Sequence, residues 1–96
     1  MAVKLSVREN AIERQLRERV EALGGECIKV TVIGRRGFFD RLVVLPGGRV
    51  IFVEVKRPRG GRTTTNQMLW HARFDTLGLA IAVVKNSADI DALLKS

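Results

Sequence analysis

Apolar residues recur at helical spacing early in the chain. Ile12, Leu16, Val20 and Leu23 form one stripe, and Gly24-Gly25 ends it. Ser6-Val7-Arg8-Glu9 just upstream has the spacing of a capping box, with Ser6 accepting from first-turn amides and Glu9 reaching back. The pattern then becomes β-rich. Residues 27–33 read as a strand, and 42–45 and 50–53 read as two more around the turn chemistry of Pro46-Gly47-Gly48. Both faces of this hairpin are largely apolar, so helices are expected on both sides of its sheet. A second helix is predicted from a cap at Thr64 or Thr65 through Leu77, with Met68, Leu69, Ala72, Phe74 and Leu77 available for packing and Gly78 ending it. Residues 79–84 read as a fully buried strand, and Ser87 as the cap of a short last helix whose Ile90, Leu93 and Leu94 face inward. The order is αβββαβα, an α/β fold with a small mixed β-sheet flanked by helices. Two segments between elements are basic: Gly34-Arg35-Arg36-Gly37 reads as a turn and Arg57-Pro58-Arg59-Gly60-Gly61-Arg62 as an exposed loop.

The hairpin carries the first candidate chemistry. Residues two apart on a strand share a face, so Glu54 and Lys56 project together, away from Val53 and Val55. A two-residue turn at Gly47-Gly48 would set Asp40 opposite Val55, facing away from Glu54. A three-residue loop, Pro46 to Gly48, sets Asp40 opposite Glu54 on the face of Leu42, Val44, Val50 and Phe52. Two carboxylates and an ammonium at the end of a buried hairpin are costly unless compensated. A hard divalent cation compensates them, because Mg²⁺ is held by one or two carboxylates together with phosphate oxygens. The competing reading is an ordinary surface ion pair, in a chain with 28% charged residues.

Charge sharpens the choice. The formal net charge is +7, and all of it falls between Lys29 and Arg62, where nine cations meet two anions, Asp40 and Glu54. The only acids in the basic segment are thus the candidate pair, among groups suited to a phosphate backbone. A generally basic surface would explain the sum but not its localisation.

Composition sets the bounds. Ninety-six residues, 46% of them hydrophobic, suit one globular domain over 1–96 with a single core. No apolar run approaches a membrane span, and the start lacks the apolar core of a signal peptide, so the expected location is cytoplasmic. One cysteine, Cys27, excludes an internal disulfide, and with a single histidine there is no sensible zinc site. The absence of tyrosine argues against a surface that stacks single-stranded bases.

Other polar residues admit two readings each. Glu9 is accounted for by the capping box. Glu13 lies on the margin of the buried stripe and either pairs with Arg17 at i+4 or leans over the sheet to join Asp40 and Glu54, directly or through a metal-bound water. Gln67 is either a surface residue at a helix start or a neutral hydrogen-bonding group beside the lysine or the phosphate. Trp70 reads as core, and His71 as a satisfied histidine.

Ile12-Glu13, Gly37-Phe38-Phe39-Asp40, the run from Pro46 to Lys56, then Gln67 and Gly78 before an apolar strand resemble the virus-type replication-repair nucleases (VRR-NUC) of the PD-(D/E)xK superfamily. The resemblance covers nearly the whole chain, with the motifs in order. Phe39 departs from it, standing where that family usually has proline. The resemblance implies a restriction-endonuclease-like PD-(D/E)xK core, Glu13, Asp40 and Glu54 as the acidic set, Lys56 as catalytic lysine and Gln67 as its helper. It also implies Mg²⁺ or Mn²⁺ as cofactor and, for small members, homodimers acting on branched DNA such as four-way junctions.

The expected chemistry is hydrolysis of a DNA phosphodiester. Asp40, Glu54 and the Val55 carbonyl would hold the metal, with Glu13 positioning a water or a second ion. Lys56 would orient the water or neutralise charge building on the phosphate. Arg35, Arg36, Arg57, Arg59 and Arg62 would hold the flanking backbone without base specificity. The alternative is a non-catalytic basic DNA-binding module in which the cluster is only an ion-pair network.

Overall fold

The computed structural model describes residues 9–34, 37–56 and 63–95. They form α1 (Ala11–Ala22), β1 (Glu26–Lys29), β2 (Arg41–Leu45), β3 (Arg49–Val55), α2 (Thr65–Thr76), β4 (Ala80–Val84) and α3 (Ser87–Lys95), the α/β order that the pattern predicts. The strands make one sheet in the order β1-β2-β3-β4. The first two pairings are antiparallel and β3 with β4 is parallel, as the long crossover through α2 allows.

The hairpin register decides where the candidate carboxylates go. Leu45 pairs with Arg49, so the connection is the three-residue loop, and Gly47 and Gly48 supply the positive φ values (+86° and +80°) that it needs. Arg41 then pairs with Val53, and the Asp40 amide donates to the Val53 carbonyl at 3.0 Å.

Alternation along β2 and β3 sends two sets of side chains to opposite faces. Val43, Leu45, Ile51 and Val53, with Val84 of β4, meet Leu16 and Val20 of α1 and Ile90 and Leu93 of α3 in the main core. Burying each of these aliphatic side chains contributes roughly 1.5–3 kcal/mol. On the other face, Phe52 packs with Phe38, Phe39 and Phe74 in an aromatic layer beneath α2. Gly25 lets α1 close on the sheet, since a Cβ there would collide with the Val44 carbonyl oxygen and the Val20 side chain.

Several boundaries differ from the sequence expectation. Ser6 lies outside the described residues, and α1 is capped by Asn10 instead. The Asn10 side chain accepts from the Glu13 amide at 2.8 Å, and the Glu13 carboxylate accepts from the Asn10 amide at 3.4 Å. Asn10-x-x-Glu13 satisfies the same spacing as Ser6-x-x-Glu9, and Glu9 pairs with Arg17 and Arg41. The first strand stops at Lys29, because β2 begins at Arg41 and offers 31–33 no partner; Ile33 is 95% exposed. The run 79–84 is not fully buried. It becomes β4, an edge strand paired on one side, in which only Val84 is buried. Asn86, not Ser87, caps α3 by accepting from the Asp89 amide at 2.9 Å, while the Ser87 hydroxyl donates to Gln15 Oε1.

Helix α2 differs most. Met68, Leu69 and Leu77 are exposed, and the inward-facing residues are Gln67, Trp70, His71 and Phe74, a one-face repeat with polar members. Thr64 caps it, accepting from the Gln67 amide at 3.1 Å. Gly37 (φ +73°) lies against this helix start so closely that a Cβ would strike Asn66.

Candidate active site

Strand β3 delivers Glu54 and Lys56 to the α2 face of the sheet. Glu54 is completely buried. Its Oε1 lies 3.1 Å from His71 Nε2, and its Oε2 lies 3.3 Å from Lys56 Nζ. The lysine contact is an ion pair without hydrogen-bond alignment, so Oε2 accepts no hydrogen bond from any described residue. The aligned hydrogen bond of Lys56 goes to Gln67 Oε1 at 2.6 Å, and that same oxygen accepts the Thr64 amide at 2.9 Å. Gln67 therefore completes the capping box of α2 and holds the lysine at once.

Asp40 enters from the start of β2. Its Oδ2 accepts the Val55 amide at 2.8 Å, tying it to the strand that carries Glu54. Burial pushes the Asp40 carboxyl above its usual range, and the Val55 hydrogen bond opposes this. The negative charges of Glu54 and Glu13 push it further up, and Lys56 pulls it down.

These groups fit a hard cation. The Glu54 charge adds to the cost of ionising Asp40, and one buried oxygen accepts no hydrogen bond from the described residues, which a native fold rarely tolerates. All the donors are oxygens, the set preferred by Mg²⁺ and Mn²⁺. Among the described residues no group of three or more His, Cys, Asp and Glu side chains is gathered for an ion. Asp40 and Glu54 are the carboxylates that the described residues bring to this face.

Glu13 is not drawn into that pair. It is held on the opposite face by Arg41, whose Nη2 lies 3.2 Å from Glu13 Oε2 and 3.1 Å from Glu9 Oε2. Arg17 pairs with Glu9 and Glu21 rather than with Glu13. Arg41 is buried to 2% exposure, so this member of the basic segment cannot reach a phosphate backbone. Arg49 likewise turns inward and donates to the Leu93 carbonyl at 3.3 Å. Arg35, Arg36, Arg57, Arg59 and Arg62 lie outside the described residues.

Sequence reasoning gave no site role to His71 or Arg41. Both had a signal. His71 lies four residues after Gln67 and so shares its helix face, and Arg41 shares the core-facing alternation of Val43 and Leu45. Trp70 joins the aromatic layer, edge-on to Phe38 at 4.9 Å. Cys27 is half-buried against the core, and that burial pushes its thiol up, away from reactivity. No helix of the described residues is long and apolar enough to cross a membrane.

Known proteins include relatives that match this chain over most of its length. A protein named "Putative nuclease p44", from Acyrthosiphon pisum secondary endosymbiont phage 1, is 43% identical over 88 residues, 92% of this chain and 92% of its own length. A solved structure described as "VRR_NUC domain" superposes with a TM-score of 0.81 at 37% identity, covering 88% of this chain and 90% of that one. No family model matches the chain.

Proposed function

The chain belongs to the VRR-NUC family of nucleases, and from that premise we propose that it is a DNA endonuclease dependent on Mg²⁺ or Mn²⁺. The observation that carries the metal requirement is Glu54 Oε2, buried, accepting no hydrogen bond from the described residues and facing Lys56. Asp40, Glu54 and the Val55 carbonyl are the groups that would hold the ion. When bound, a divalent ion polarises a phosphoryl oxygen and acidifies a water. The protein's own groups supply the rest. Gln67 fixes the Lys56 ammonium beside Glu54, where it can donate to the attacking water or to the phosphate oxygen that gains charge. The hairpin and the start of α2 hold these donors on regular elements, so little reorganisation is needed as charge develops.

DNA as substrate rests on the +7 charge between Lys29 and Arg62, with Arg35, Arg36, Arg57, Arg59 and Arg62 as the backbone-binding set. A homodimer with a preference for branched DNA follows from the size of the chain and from its family. A two-fold pair of sites matches the symmetry of a four-way junction.

A cleavage panel of duplex, flap, splayed and four-way DNA, run beside light scattering, tests these points together. Cleavage is expected with Mg²⁺ or Mn²⁺, to stop with chelator, and to be fastest on the junction with a dimer in solution. Robust cutting in excess EDTA would overturn the metal requirement. A monomer that cuts linear duplex equally well would overturn the assembly.

Lys56→Ala separates catalysis from binding. It is expected to lower kcat by on the order of 10²-fold or more while DNA affinity stays within a few-fold, since the ammonium acts on charge that develops only in the transition state. Normal cleavage by this variant would show that Lys56 has no catalytic part, whereas a wild type that binds DNA but never cuts it would leave Asp40, Glu54 and Lys56 as the ion-pair network of a DNA-binding module.

A further inference from the structure

We propose that His71, clamped by stacking on Phe39, is a positioning residue that orients the Glu54 carboxylate for metal binding. The inference rests on the metal reading above and adds a residue to it.

A carboxylate at the end of a glutamate side chain can swing about its last torsion, and a buried one swings to whatever donor is nearest. At Glu54 one oxygen is fixed. Against an ionised carboxylate, which only accepts, the tautomer that makes the 3.1 Å contact a hydrogen bond is the one with the proton on His71 Nε2. Fixing Oε1 leaves Oε2 as the oxygen turned toward Lys56 and accepting no hydrogen bond from the described residues. Without His71, the carboxylate could turn to take an aligned hydrogen bond from Lys56, and the oxygen available to an ion would be lost.

The imidazole is itself held. Its ring lies on that of Phe39 with centroids 5.0 Å apart and planes 11° from parallel. Phe39 is buried to 2% exposure and also stacks on Phe74, one turn beyond His71 on the same helix, at 5.3 Å and 23°. Phe38 closes the layer edge-on to both phenylalanines. Phe39 is also the residue before Asp40, so one stacked pair links the backbone of the first carboxylate to the side chain of the second. This explains what an aromatic residue does at position 39: its face forms a wall against which the histidine cannot rotate.

The test reads metal binding directly, by calorimetric titration of Mn²⁺ into the DNA-free protein. Wild type, His71→Ala, His71→Gln and Phe39→Leu are compared, with melting curves for each. His71→Ala is expected to raise the Mn²⁺ Kd by about 10–100-fold, the range typical for loss of an outer-shell partner. His71→Gln keeps an N–H donor and should recover most of the affinity. Phe39→Leu keeps apolar bulk without the stacking face, and should fall between the two with a melting temperature near that of wild type. A folded His71→Ala protein that binds Mn²⁺ as wild type does would overturn the positioning role and leave the metal reading standing, as would a His71→Gln variant no better than His71→Ala. If His71→Ala fails to fold, unchanged Mn²⁺ affinity in folded Phe39→Leu supports simple packing and overturns it equally. Wild type that binds no Mn²⁺ would overturn both.

Discussion

Asp40→Asn is expected to abolish turnover and, in the absence of metal, to make the fold more stable at neutral pH. The two effects have one origin. Burial raises the Asp40 carboxyl above its ordinary range, and the charges of Glu54 and Glu13 add to the shift against the Val55 amide and Lys56. A carboxyl raised on folding favours the folded state while protonated. Its contribution is complete below the unfolded value of about 4 and is lost as pH rises through the folded one. At pH 7 the ionised group therefore costs stability. Asparagine does not ionise, yet its Oδ1 can still accept the Val55 amide that Asp40 Oδ2 accepts at 2.8 Å. The variant should melt above wild type at pH 7 in chelator, with the difference shrinking as pH falls through the raised folded value and gone below the unfolded value of about 4. Mn²⁺ should raise the melting temperature of wild type and do little for the variant, because an ion stabilises only the state that binds it. A variant that melts below wild type at pH 7 in chelator would show that Asp40 is held for stability and that the site has no electrostatic cost for an ion to relieve.

The part of this site legible in the sequence is the part fixed by counting. Strand alternation puts Glu54 and Lys56 together, and an odd loop brings Asp40 to their face; the observed Leu45–Arg49 pairing has that loop. What counting missed are choices among equivalent local patterns. Ser6-x-x-Glu9 and Asn10-x-x-Glu13 both describe a capping box, and the second caps α1. Apolar residues 79–84 read alike for a central and an edge strand, because the difference lies in how many neighbours the sheet order provides. In α2 the hydrophobic positions Met68, Leu69 and Leu77 point outward, because the inward stripe is chosen by what lies beneath it. That is the aromatic layer at one end and Glu54 with Lys56 at the other, so the stripe must carry Gln67 and His71 as well as Trp70 and Phe74. Polar residues on a buried stripe weaken a periodicity signal wherever a helix covers a site.

Arg41 carries the largest expected effect on stability and decides what Glu13 does. Its side chain is 3% exposed and bridges Glu9 and Glu13 at 3.1 and 3.2 Å, with a further hydrogen bond from Nε to Glu13 Oε2 at 3.3 Å. Removing Arg41 leaves Glu9 with Arg17 at 2.9 Å and Glu13 with only Lys29 at 4.0 Å, so the cost should lie toward the lower end of the about 3–5 kcal/mol typical of a broken buried ion pair. A small domain has a total stability of roughly 5–15 kcal/mol, so Arg41→Met should take away a large share of it, read as a shift in the urea midpoint. A shift worth less than about 1 kcal/mol would show that solvent screens the cluster. The same experiment extends to Glu13. If its carboxylate serves only the cap and Arg41, Glu13→Gln should lose stability without losing cleavage at temperatures where it stays folded. Combining it with Arg41→Met should then cost less than the sum of the two, since both break one cluster. If Glu13 instead positions a water or a second ion, Glu13→Gln should lower kcat sharply in a protein that melts only slightly early. In that case Arg41 restrains a functional carboxylate on the α1 side of the sheet, and Arg41→Met should impair cleavage beyond what its loss of folded protein explains.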